Sequence, residues 1–122
     1  MTDVKFPHNH GQSIENELEN MPKTEDFQTV AEIFKQLCDS SRIRIFWFLC
    51  HCEECVINIS AFMDMTSPAV SHHLKQLKAN GLIVSRREGK EVYYKAADTE
   101  KAQLLHKVIE NLVEISCPSI DN

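Results

Sequence analysis

The chain is 122 residues long, 43% hydrophobic, with a formal net charge of -5. That length accommodates one domain, an arm and a modest core. No apolar run approaches the ~18 residues of a membrane span, and Met1-Thr2-Asp3-Val4-Lys5 lacks the basic-then-apolar pattern of a signal peptide, so the expectation is a cytoplasmic protein with no membrane partner. The charge is unevenly spread. Met1 to Asp26 holds six acids against two bases, whereas Met65 to Lys95 holds six bases against Glu88 and Glu91. One basic segment in an acidic chain argues against general coating of nucleic acid and leaves a phosphate footprint confined to one face.

In chain order, residues 1–23 read as a flexible N-terminal arm, polar and carrying Pro7 and Pro22, with one short helix near Gln12 to Glu19. Thr24 is an N-cap candidate, followed by the acids Glu25 and Asp26. Phe27, Val30, Ala31, Phe34, Leu37 and Cys38 then recur at helical spacing, which puts Cys38 in the core. Asp39-Ser40-Ser41 breaks that helix, and the next, from Ser41 to Cys50, is apolar enough to be buried over most of its surface. Ile57 to Met63 reads as a short helix and Asp64-Met65-Thr66 as a turn. Ser67-Pro68 opens the following helix as N-cap and first helical residue, with Val70, His73, Leu74 and Leu77 facing inward. Asn80-Gly81 ends it. Leu82 to Arg86 and Glu91 to Lys95 are two strands joined by Glu88-Gly89-Lys90. Asp98 caps a last helix reaching Ser116, whose stripe Ala102, Leu105, Val108, Ile109, Leu112 and Val113 calls for a second copy of the chain. The ordered domain is thus 24–117, with 118–122 as a C-terminal tail.

Short helix, tight turn, capped helix and basic hairpin, in that order, form the winged helix-turn-helix plan: a mainly α fold with a small β-hairpin, dimerising through terminal helices. In such a motif the second helix enters the DNA major groove by its N-terminal residues. Ser67, Ala69, Ser71 and His72 occupy that end; hydroxyls and an imidazole suit base edges, and an alanine methyl suits a thymine methyl. Lys75, Arg86, Arg87 and Lys90 are placed to grip phosphates, the hairpin arginines also suiting a narrow minor groove, and Gln76 joins the DNA-binding set on the outer surface of the helix. His73, on the inner stripe, reads as a packed residue.

The residues from Thr66 to Leu77, then Asn80-Gly81-Leu82-Ile83, Arg86-Arg87-Glu88-Gly89-Lys90 and Tyr93-Tyr94, resemble the ArsR/SmtB family of metal-responsive repressors, as does Asp39 to Ile45. The likeness runs from Asp26 to Ser116. It implies a homodimer on operator double-stranded DNA that leaves when an inducer binds.

Five cysteines are present, and three fall in Cys50-His51-Cys52-Glu53-Glu54-Cys55. An odd count clustered in this way points to a metal or redox role rather than a disulfide frame. Thiolates take soft ions, so Cys50, Cys52 and Cys55 are the candidate ligands of a metal or metalloid inducer of the arsenite, cadmium, lead or zinc class. Three sulfurs on one chain, or two with a ligand from the other subunit, would serve. The alternative keeps the DNA-binding fold and makes the same thiols a redox or reactive-sulfur sensor. Relatives that carry Cys-Val-Cys at this helix start are matched only at Cys55, since Val56-Ile57 follows. The resemblance also implies a last-helix site at Asp98, Glu100, Asn111 and Glu114, which here lacks two histidines. An enzyme built on a Cys-His nucleophile is not expected, because the glycines Gly11, Gly81 and Gly89 form no oxyanion loop.

Overall fold

A computed structural model of the protein describes residues 5–117; the expected tail, 118–122, lies outside the described residues. The chain forms two compact units, Met1–Ala31 and Glu32–Asn122.

In the first unit, Ser13 Oγ donates to a Glu15 carboxylate oxygen at 2.7 Å at the start of α1, Glu15–Glu19. Helix α2, Thr24–Gln36, also begins in this unit. Its first turn is closed by Asp26, whose carboxylate accepts from Lys23 N–H at 3.1 Å, so Thr24 is the first helical residue rather than the cap.

The second unit contains the core and the elements that position the site. At the end of α2, Ile33 and Leu37 pack on the core, while Phe34 is exposed. Cys38 is exposed too, against the sequence expectation: the helix stops at Gln36, so the periodicity that would turn Cys38 inward no longer applies. Helix α3, Ser40–Leu49, is capped by Asp39, which accepts from Arg42 N–H, and drives Ile45, Phe46 and Leu49 into the centre. Helix α4, Val56–Met63, ends at Asp64 in the left-handed conformation, φ 53°. Two residues later Thr66 accepts from Ala69 N–H and starts α5, Ser67–Ala79; the cap is Thr66 and not Ser67. Val70, His73, Leu74 and Leu77 face the core as their spacing requires.

Strands β2, Ile83–Glu88, and β3, Glu91–Ala96, pair antiparallel around Gly89 at φ 64°, a left-handed conformation that glycine takes without a Cβ clash. A third strand, β1, Glu54–Cys55, was not foreseen; it pairs antiparallel with β3 to give the order β1-β3-β2, with Cys55 opposite Tyr93. Helix α6, Glu100–Ser116, is capped by Thr99 rather than Asp98. Its stripe divides. Ala102, Leu105 and Ile109 are buried in the chain's own core, while Leu104, Leu112, Val113 and Ile115 are exposed. Leu105 is therefore a core residue, and the apolar surface left open lies at Leu104 and, farther along the helix, at Leu112, Val113 and Ile115. No helix among the described residues is long and apolar enough to cross a membrane.

Candidate DNA interface and inducer site

Helix α5 presents its chemistry by periodicity. With Val70, Leu74 and Leu77 fixed inward, Ser67, Ser71, His72 and Lys75 are exposed, and Ala69 and Gln76 are half-buried. Ser67 Oγ lies 3.2 Å from Ser60 Oγ of α4, which ties the first helix of the motif to the N-terminus of the second. His73 is built in: its Nδ1 accepts from Arg42 Nε at 3.1 Å, and its Nε2 is 3.9 Å from Asp39. Burial holds its pKa below the ordinary 6.5, so the ring is kept neutral and accepts the guanidinium's hydrogen bond. Arg42 also donates to the buried Gln36 at 2.9 Å.

The two sides of the hairpin differ. Arg87 and Lys90 are exposed, and Arg87 Nε reaches only the Gly89 carbonyl of its own turn, at 3.3 Å. Arg86 is engaged. Its Nε and Nη2 donate to Glu53 at 2.7–3.0 Å, its Nη1 donates to Glu88 at 2.6 Å, and its guanidinium lies over the Tyr93 ring, 4.9 Å from the centroid. These carboxylates, Glu53 first, raise the Arg86 pKa above its ordinary value, and Arg86 in turn lowers that of Glu53. Sequence reasoning could not see this, because the partners are 33 residues apart. Lys78 is likewise held, donating to Ser85 Oγ at 2.7 Å.

Glu53 belongs to the cysteine segment. Cys50 is the C-cap of α3, Cys52 Sγ contacts the Phe48 carbonyl at 3.4 Å, and Cys55 is buried in β1. Cys50 and Cys52 line one cavity of about 460 Å³, together with Glu53, Asp98 and His106. Burial first, and then the Glu110 carboxylate, push the Cys50 thiol up to about 11; burial and then Glu54 raise Cys52. Both thiols therefore keep their protons near neutral pH, and a soft cation must displace them to bind. Among the described residues the ligand atoms that do converge are those of His51, His106 and Glu110, and none of the three cysteines belongs to that group.

A tight turn between α4 and α5, a basic two-stranded wing and a terminal helix with an apolar outer face define a winged helix-turn-helix protein of the DNA-binding class. Residues 39–85 match the family described as "Bacterial regulatory protein, arsR family". The chain is 39% identical over 87 residues to the transcriptional repressor SmtB homolog of Synechocystis sp., covering 71% of this chain and 66% of that protein. It is 35% identical over 88 residues to the cadmium resistance regulatory protein CadC homolog of Staphylococcus aureus, covering 71% and 73%. To the arsenic resistance transcriptional regulator ArsR2 of Pseudomonas putida it is 31% identical over 83 residues, covering 67% and 71%. Its fold resembles the solution structure of the homodimeric winged helix-turn-helix DNA-binding domain Mb0332 from Mycobacterium bovis, with a TM-score of 0.66 and 27% identity over 92% of this chain and 95% of that one. The chain belongs to the ArsR/SmtB family, whose members are DNA-binding transcriptional regulators and not enzymes.

Proposed function

We propose that the protein is a homodimeric repressor that holds operator DNA with α5 and the wing, and releases it when a thiolate-binding metal or metalloid ion reaches the Cys50–Cys55 segment. Ser67, Ala69, Ser71 and His72 read base edges, and Lys75, Gln76, Arg87 and Lys90 meet phosphates. Arg86 anchors the wing. The exposed Leu112, Val113 and Ile115 of α6 are the surface that a second copy covers.

The observation that carries this reading is the forked contact between Glu53 and Arg86. It joins the cysteine segment directly to the wing, and β1 joins it again by pairing Cys55 with Tyr93. An ion that gathers the thiols of Cys50 and Cys52, with Cys55 or a ligand from the other subunit, displaces Glu53 and the adjoining strand β1, and the wing with them. Coupling of that kind needs a difference of only ~1–3 kcal/mol between two dimer shapes.

The test is fluorescence anisotropy on an operator fragment in reducing buffer, repeated with arsenite, cadmium, lead and zinc. Release by at least one ion is expected in the wild type. Cys52→Ser and Cys55→Ser should bind operator normally yet stay bound when the ion is added. Release by a mild oxidant and by none of the ions would replace this reading with the redox one.

A further inference from the structure

His51, His106 and Glu110 form a group that the reading above does not use. His51 follows the C-cap of α3, and His106 and Glu110 stand one turn apart on α6. Their ligand atoms all lie within 4.8 Å of one another. His51 Nε2 is 3.1 Å from His106 Nε2, and Glu110 Oε2 is 3.7 Å from the first and 3.4 Å from the second.

We infer that these three side chains form a second cation site, separate from the cysteines, for a borderline divalent ion of the zinc type. A triangle with sides of 3.1, 3.4 and 3.7 Å has a point roughly 2.0 Å from all three corners, which is the bond length of zinc to imidazole nitrogen and to carboxylate oxygen. Tetrahedral coordination at that bond length spaces ligands by about 3.3 Å, close to the spacing seen. One proton between the two Nε2 atoms satisfies that pair alone, whereas a cation at the centre meets three lone pairs at once. The donor set, two imidazoles and a carboxylate, is a borderline rather than a soft one.

The surroundings hold the ligands in place. Trp47 Nε1 donates to Glu110 Oε2 at 3.2 Å, the kind of outer hydrogen bond that orients a ligating carboxylate. The Trp47 ring packs against His51 at 4.2 Å, and the two histidine rings meet edge-on at 84°. His51 and Glu110 are exposed, so an ion can enter. An ion bound here ties the end of α3, just before the cysteine segment, to the middle of α6.

The test uses the full-length protein and two probes. Titrated with Co²⁺, the protein should show visible bands of a nitrogen- and oxygen-ligated tetrahedral ion, distinct from any near-ultraviolet sulfur charge transfer at the cysteines, and Zn²⁺ should displace them. With Zn²⁺ on ¹⁵N-histidine protein, the Nε2 signals of His51 and His106 should shift together. His106→Asn and Glu110→Gln, both near the surface, should abolish the nitrogen/oxygen signature while leaving any thiolate charge transfer intact. Trp47→Phe should weaken zinc binding about 10-fold through loss of the outer donor. If Zn²⁺ leaves both ring nitrogens unmoved, or if His106→Asn binds it as the wild type does, the three residues are a hydrogen-bonded cluster only and the inference fails.

Discussion

Helix α5 and the segment from Cys50 to Cys55 present their functional side chains by opposite means. In α5 one rule, the turn of the helix, sends Val70, Leu74 and Leu77 inward and Ser71, His72 and Lys75 outward. In the cysteine segment each residue answers to a different constraint: Cys50 to the end of α3, Glu53 to Arg86, Cys55 to pairing with Tyr93. A surface built on one rigid element keeps its shape without a ligand. A segment held by three separate attachments can be moved by one that changes any of them. The first arrangement suits recognition and the second suits control.

On the proposed reading both regions act in a homodimer, so the largest predicted effect removes the second copy. Leu112→Glu with Val113→Glu should give folded monomers by sedimentation and lower operator affinity toward the nonspecific level, ~10³-fold or more. A double variant that remains dimeric would remove α6 from the interface. Leu105→Glu is the wrong probe, because Leu105 lies in the core and its replacement unfolds the chain.

Next in size is the loss of control without loss of recognition. Cys52→Ser should bind operator within twofold of wild type while the inducer's effect on affinity, about 5–150-fold in such systems, disappears. Equal loss of binding and release would mean that the two regions are not separable. A smaller effect isolates the wing: Arg87→Ala should weaken binding to all sequences alike and flatten the log-log salt slope by about 0.9. His72→Ala should change which sequence is preferred instead.

The smallest effect concerns how firmly α5 is seated. The folded pKa of His73 is depressed by burial, so the unfolded chain takes up this proton first. Its contribution is therefore present above the ordinary 6.5 and is lost as pH falls through the lower folded value. Denaturant midpoints should decline in that window, and His73→Gln should flatten the decline. An unchanged slope would assign the acid sensitivity to other groups.

The same contrast decides what was legible in the sequence. Helices α5 and α6 announce themselves by period, α3 by its dense apolar run after Asp39, and Gly89 announces the hairpin. By sequence Ser67 and Asp98 are the cap candidates, whereas Thr66 and Thr99 cap the helices, because adjacent residues there can both accept the hydrogen bond and only backbone geometry chooses. Strand β1 has two residues, too few to show any period. The width of the α6 stripe was visible, but not which half the chain covers itself. Arg86 looked like a free cation because its partner Glu53 is remote in sequence. His106 and Glu110 carry an i, i+4 signal that could have been noticed; their meeting with His51 could not.

The Glu53–Arg86 fork has one more consequence. A guanidinium already shared between Glu53 and Glu88 offers little to a phosphate, so on the proposed reading the fork withholds a cation from DNA. A Glu53→Gln chain frees that charge for the duplex and cuts one link by which the cysteines reach the wing. It is the shape of a super-repressor, gripping harder and hearing less. On the proposed reading, the acidic residue between the thiols sets how much affinity is forgone in exchange for responsiveness.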